Sequence, residues 1–307
     1  MEIPQAVISA VNEWFHGPYQ EYKDTNGLEE CSGEVVCSNV SELHPDPANI
    51  IIFMGINPGG DPETHGYTIE QNVNELNVVL PENRRWYNWE TNYPAQITYI
   101  LQCLYPDRFL NNDENRNKKN RNESVLYFNR SFIRTRQAAD VTPEHRIVSW
   151  HLVDNLINLV QTPIFVFGRD AFENVADNLE MEVVAKRHVG WGNVVMHLYR
   201  NHATNRKMVA MPHLGRYPFA TRIEAQDDFW VVIRNFLDNG VIQEPQGELH
   251  VNADDEQPDI QRRNVPPPQI AIGDYGEEIR SLRAEITSLR TEVQNLSFLI
   301  KRLDPRL

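Results

Sequence analysis

Four short runs of almost unbroken apolar residues constrain this chain more than anything else in it. They are IIIFMG between Asn49 and Ile56, VLYF between Ser124 and Asn129, IFVF between Pro163 and Gly168, and MVAM between Lys207 and Pro212. A strand with one face in water alternates apolar and polar residues, whereas a parallel strand covered on both faces is apolar at successive positions. Helical patterns lie between the runs, over Pro94 to Cys103, Pro143 to Leu159 and Asp170 to Leu179, and Ala225 to Leu237 follows the last. Strands alternating with helices predict an α/β fold, a three-layer αβα arrangement around a central, mainly parallel four-stranded sheet. The 307 residues allow one large domain with an appendage, or two small domains.

The appendage is legible at the C-terminal end. From about Gln243 to Tyr275 the chain is rich in Pro, Asp, Glu and Gln and has no apolar period that could build a core. Beyond it, Ile279, Leu282, Ile286, Leu289, Val293, Leu296, Ile300 and Leu303 alternate spacings of three and four. This is the heptad of a coiled coil. β-Branched residues at a over leucine at d favour a parallel dimer, and Glu278 with Arg283 and Glu285 with Arg290 suit the flanking g and e' positions. The other reading is an amphipathic helix folded back on its own domain. The expected organisation is a head over 1–243, an acidic, Pro-rich linker over 244–275 and a C-terminal parallel coiled-coil helix over 276–304 that forms a homodimer through 278–303.

Several classes of protein are disfavoured. No run approaches the 18 or so apolar residues of a membrane span, and MEIPQAVISAVNEWF reads as an amphipathic helix, with none of the basic start of a signal peptide. A soluble intracellular protein is expected, cytoplasmic, or nucleoid-associated in a prokaryote. Three cysteines, Cys31, Cys37 and Cys103, suit neither a disulfide framework nor a zinc pattern. No metal and no cofactor are expected. The formal charge of -14 argues against indiscriminate polyanion binding.

In open α/β sheets the site lies outside the carboxyl ends of the strands, so the residues after each run matter most. After the first come Gly55, Ile56, Asn57, Pro58, Gly59, Gly60, Asp61 and Pro62, a tight loop where backbone can approach a ligand. A loop of no function would use the same residues. The second run ends at Asn129, whose amide offers an acceptor and two donors to a nucleobase edge. The third runs into Gly168, Arg169 and Asp170, and the fourth into Pro212, His213, Leu214, Gly215, Arg216 and Tyr217.

Taken in order, GINPG, LYFN, FVFGRDAFENV and MPHLGRYP resemble the uracil-DNA glycosylase superfamily, and the first motif most resembles its mismatch-specific branch. The likeness covers roughly Ala48 to Phe219. Two features depart from the family: the last loop reads MPH where HPS or NPS is usual, and the cluster-bearing branches use four cysteines where this chain has three. The resemblance implies a DNA glycosylase that flips out a uracil-like or bulky modified pyrimidine and hydrolyses its glycosidic bond, in repair or in defence against foreign DNA. It casts Asn57 as the holder of the attacking water and His213 as the donor to the departing base. Gly55, Ile56, Pro58, Gly59, Tyr67 and Asn129 would bind the base, Asn129 by its edge and Tyr67 by stacking. Strict uracil enzymes carry a bulky Tyr after the loop proline, so Gly59 implies room at C5 of a pyrimidine. Asp61 and Glu63 are nearby carboxylates. Arg216 and Tyr217 are candidates for filling the gap left in the duplex.

For the DNA backbone the sequence offers one basic stretch. From Arg116 to Arg136 stand Arg116, Lys118, Lys119, Arg121, Arg130, Arg134 and Arg136 against the single acid Glu123. Lys118, Lys119, Arg121, Arg130 and Arg216, with Arg222, are the expected phosphate contacts. A solvated Asn/Lys loop is the alternative. Two other functions fit the same residues: a weak or inactive nucleic-acid-binding module assembled by its coiled coil, and an enzyme acting on free nucleotides or nucleosides.

Overall fold

A computed structural model describes residues 2–27, 31–56, 68–81, 86–88, 92–135, 140–190, 194–215, 217–224, 227–240 and 242. The strands are β1 (Ile51–Gly55), β2 (Val125–Asn129), β3 (Ile164–Phe167), β4 (Glu182–His188), β5 (Val195–Arg200) and β6 (Lys207–Met211). They form one sheet in the order β2-β1-β3-β6-β5-β4. β1 pairs in parallel with β2 and β3, and β3 with β6, while β5 runs antiparallel to both β6 and β4.

The sheet is therefore six-stranded and mixed, which corrects the expected four. The four apolar runs are its parallel strands. β4 and β5 escape the same criterion because β4 is an exposed edge and β5 is half-buried, so neither needs an unbroken apolar run.

Helices cover both faces. They are α1 (Ile3–Trp14), α2 (Gln20–Asn26), α3 (Ile69–Leu76), α4 (Asn92–Leu104), α5 (Pro106–Phe109), α6 (Glu114–Ser124), α7 (Pro143–Asn158), α8 (Arg169–Asn178) and α9 (Asp228–Asn239). Their starts are written in the sequence: Thr68 and Thr142 close capping boxes with Gln71 and His145, and Asp227 caps α9. Strand alternation divides the interior into two cores. Ile52, Met54, Phe128 and Val166 pack with Trp14 of α1 and Leu152 of α7. Phe53, Tyr127, Phe165 and Phe167 pack with Ile97 of α4 and Trp230 of α9. In the second core Phe53 lies between Phe165 and Phe167, ring centroids 4.9 and 5.7 Å away. Each such ring contributes about 1.5 to 3 kcal/mol by leaving water.

The outer edge of β2 is not bare. Residues 31–38 run antiparallel beside it, bridging Ser32 to Ile133 and Val36 to Phe128, and the Cys37 N–H donates to the Tyr127 carbonyl at 2.8 Å. The chain divides into two units, Met1–Gly247 and Glu248–Leu307. All described residues belong to the first, so the expected linker and coiled coil lie outside them. No helix among the described residues is long and apolar enough to cross a membrane.

Candidate functional site

The carboxyl ends of β1, β2, β3 and β6 point the same way, and β1 has β2 on one side and β3 on the other. The crevice of such a sheet opens where the strand order changes direction. Gly55 and Asn129 are register partners at that edge, and both face the α4 side together with Phe53 and Tyr127. A Cβ on Gly55 would meet Asn129 Oδ1 at 2.5 Å and Tyr127 Oη at 3.4 Å, so the absent side chain is what lets both groups close in. The Asn129 side chain is nearly buried, at 7% exposure, and no described residue hydrogen-bonds its carboxamide. Burial keeps the Tyr127 phenol protonated far beyond its ordinary range.

His213 reaches the same face from the end of β6. Its Nε2 lies 2.7 Å from Tyr93 Oη, with the two rings edge to face at 5.3 Å. Burial raises the Tyr93 hydroxyl well above its ordinary range, and the Gly215 backbone opposes this through a hydrogen bond to that oxygen. The Tyr93 hydroxyl and Nε2 thus share one hydrogen bond, which fixes the orientation of the His213 ring. Gly215 is again a matter of space, since a Cβ there would stand 2.8 Å from Tyr93 Cε2. Gln96 fastens the loop to α4: its Nε2 donates to the Leu214 carbonyl at 2.8 Å, and its Oε1 accepts from the Ala220 N–H at 2.9 Å. Gly168, at φ +89°, brings the end of β3 against Ile56, where a Cβ would lie 2.5 Å from Ile56 Cδ1.

Of the expected site residues, Gly55, Ile56, Asn129 and His213 thus share the carboxyl edge. Asn57, Pro58, Gly59, Tyr67 and Arg216, with Asp61 and Glu63, lie outside the described residues. Tyr93, Tyr127 and Gln96 went unnoticed in the sequence. Nothing local marks them, although Tyr127 lies inside the LYFN motif and its alternation with Asn129 already put the two on one face.

The basic stretch does not form one track. Residues Glu114–Ser124 are helix α6, which leads directly into the amino end of β2, whereas Asn129 is at its carboxyl end. Lys118 and Lys119 line a pocket of about 550 Å³ with Ser41, Glu42 and Tyr87. That pocket neighbours the amino end, where the His44 N–H donates to the Glu123 carbonyl. Arg121 is buried, ion-paired with Glu114 at 2.6 Å and set over the Tyr87 ring. Arg130 is buried over Trp150 and donates to Asn174 Oδ1 and the Arg146 carbonyl. Burial lowers its pKa to about 10. Arg121 and Arg130 therefore hold elements together and present nothing to a phosphate. A row of like charges is continuous in sequence and is divided in space once a strand passes through it. Among the described residues near the carboxyl edge, Arg169, beside Gly168 and paired with Glu173 at 2.7 Å, and Arg222, two residues beyond the Gln96-held Ala220, are exposed.

Among the described residues no three His, Cys, Asp or Glu side chains converge as a metal-binding group. No protein-family model matches the chain, and no curated protein matches it.

Proposed function

We propose that the chain is a glycosylase that admits a flipped pyrimidine at the carboxyl edge of β1 and β2 and hydrolyses its bond to the sugar. The observation that carries this is the Asn129 carboxamide, which is nearly buried, meets no described hydrogen-bond partner and lies against the bare Cα of Gly55. A carboxamide whose acceptor and two donors meet no described side chain has them to offer to a ligand edge, and a pyrimidine's Watson-Crick edge is complementary to it. His213, oriented by Tyr93, supports the second half of the reaction. An imidazole donor aimed at a base oxygen stabilises the charge that develops there as the bond breaks. By the motif resemblance Asn57 holds the attacking water, and Gly59 leaves space for a substituent at C5.

The test is an abasic-site assay on duplexes carrying uracil, thymine opposite guanine, an etheno-adduct or a bulky 5-modified cytosine, with Asn129→Ala and His213→Ala beside the wild type. Cleavable abasic sites from the wild type, reduced at least about 100-fold by either substitution, are the expected result. No excision from any duplex would end the DNA glycosylase reading.

A second reading, hydrolysis of a free nucleoside or nucleotide in the same pocket, is favoured by the fate of the basic stretch: Arg121 and Arg130 are internal, and Lys118 and Lys119 flank the opposite end of β2. Release of base from free nucleosides, with inert duplexes, would select it. We also propose that the heptad region pairs two such heads in parallel.

A further inference from the structure

Among the described residues, the carboxyl edge of β1, β2 and β6 brings together amides, phenols and an imidazole. Breaking a glycosidic bond leaves positive charge on the sugar, which a neutral amide such as Asn57 stabilises poorly. The segment beside β2 carries a candidate for that charge. Glu34 sits in the stretch that pairs with the carboxyl half of β2 and the residues after it, between the Val36–Phe128 and Ser32–Ile133 bridges. Its backbone is gripped on both sides. The Gly33 N–H donates to the Phe132 carbonyl at 2.9 Å, while the buried Asn72 of α3 accepts from the Val35 N–H at 3.0 Å and donates to the Gly33 carbonyl at 3.2 Å. Holding one residue so firmly from two elements is what a positioned side chain needs.

The backbone of Glu34 lies beside the carboxyl half of β2, and its charge reaches groups on the α4 side of the sheet. Val35 and Val36 fill the opposite core, whereas the charge of Glu34 is felt by Cys37 and Tyr127, both in the core beneath Asn129. Burial is the main reason each of those two groups is hard to ionise, and the Glu34 charge adds to it in both. Glu34 is itself half-buried, with Oε1 withdrawn from solvent. The Tyr127 hydroxyl, which lies beside Gly55, is thus close enough to Glu34 to feel its charge.

We propose that Glu34 is the catalytic carboxylate of this site, which rests on the glycosylase reading. The bond from C1' to the base nitrogen breaks and its electron pair leaves with the base. The Glu34 carboxylate stabilises the cationic sugar, a water oxygen bonds to C1', and the water's proton passes to Glu34 and then to solvent. The base anion, hydrogen-bonded by His213, takes up a proton from solvent. Water and the nucleotide give an abasic sugar and the free base.

The experiment compares full-length wild type, Glu34→Gln and Glu34→Ala in single-turnover excision, on whichever duplex of the panel above the wild type cuts and on its 5-fluoro counterpart where the base is uracil. Glu34→Gln should lose roughly 100-fold in rate. It should bind a duplex with a tetrahydrofuran abasic analogue within twofold of wild type, and added formate should restore part of the Glu34→Ala rate. Glu34→Asp, which keeps the charge, covers the case in which both neutral variants fail to fold, and it should retain more activity than either. Wild-type rates in Glu34→Gln, or a folded Glu34→Ala that formate does not rescue, overturn the Glu34 role and leave the glycosylase reading intact. A wild type that cuts no duplex removes both.

Discussion

At Gly55 the glycosylase proposal turns on one methyl group. Its Cβ would stand 2.5 Å from Asn129 Oδ1, closer than real contacts allow, so the amide would have to turn away from its place beside Gly55. Gly55→Ala should therefore abolish excision while costing only about 1 to 3 kcal/mol of stability, the usual range for overpacking. Single-turnover assays and thermal melts on one preparation read both quantities, and an active Gly55→Ala would show that Asn129 is not the reader. Tyr93 makes a finer test. Tyr93→Phe keeps the ring that packs on Phe167 and removes the hydroxyl from His213 Nε2. The expected outcome is a fall of about tenfold in kcat with KM unchanged, because imidazole orientation matters more once charge develops on the base. A change in KM alone would assign Tyr93 to binding. Gly55 and Asn129 could be read from the chain because each ends an apolar run. Tyr93, Gln96 and Glu34 could not, since each acquires its meaning from a partner distant in sequence, such as Leu214 for Gln96.

The strands covered on both faces were legible as elements because burial writes itself into consecutive residues; β4, with its exposed edge, and the half-buried β5 were not. α6 is the instructive case. Its residues ENRNKKNRNES have no apolar face, yet Asn117, Arg121, Asn122 and Ser124 are buried, the first three in polar contacts with Asn111, Glu114 and Glu42. A hydrophobic period cannot reveal a helix held this way. Its cations consequently have two different fates. Arg121→Glu should fail to fold stably, since it sets a buried acid beside the exposed Glu114 in place of the buried guanidinium that Glu114 had paired. Lys118→Glu with Lys119→Glu should leave low-salt DNA affinity within twofold of wild type, whereas Arg169→Glu should lower it several-fold. Fluorescence anisotropy separates these, and an effect of the lysine pair larger than that of Arg169 would restore the track to α6. The core on the α4 side carries a further signature. Burial raises the Cys103 thiol to about 11 and lifts Tyr93 and Tyr105 above their ordinary range. A thiol whose folded pKa exceeds its unfolded value contributes stability that is complete below the unfolded pKa, near 9, and is lost as pH rises through the folded one. Melting temperature should accordingly hold to about pH 9 and fall steeply by pH 11. A flat profile across that interval would mean that these groups ionise as freely in the fold as outside it.

For the whole molecule, the question is whether one head works alone. The formal charge of -14 and the division of the basic stretch leave a single head with little electrostatic hold on DNA, so affinity has to come from the pocket or from valency. The heptads supply valency if they pair. If segment 244–275 is the linker that its composition predicts, a flexible chain of that length would span roughly 30 Å root mean square. Two heads joined in parallel would then meet neighbouring targets on one duplex at an effective concentration in the millimolar range. Sedimentation equilibrium should give a dimer for the full chain and a monomer both for residues 1–243 and for a full chain carrying Ile286→Asp and Leu289→Asp. On a duplex with two target bases about two helical turns apart, the full chain should bind at least tenfold tighter than the double variant, and on a duplex with one target the two should be equal within twofold. Equal affinity on both duplexes with an intact dimer would mean that pairing serves something other than grip on DNA. A full chain that sediments as a monomer would favour the helix folded back on its own head.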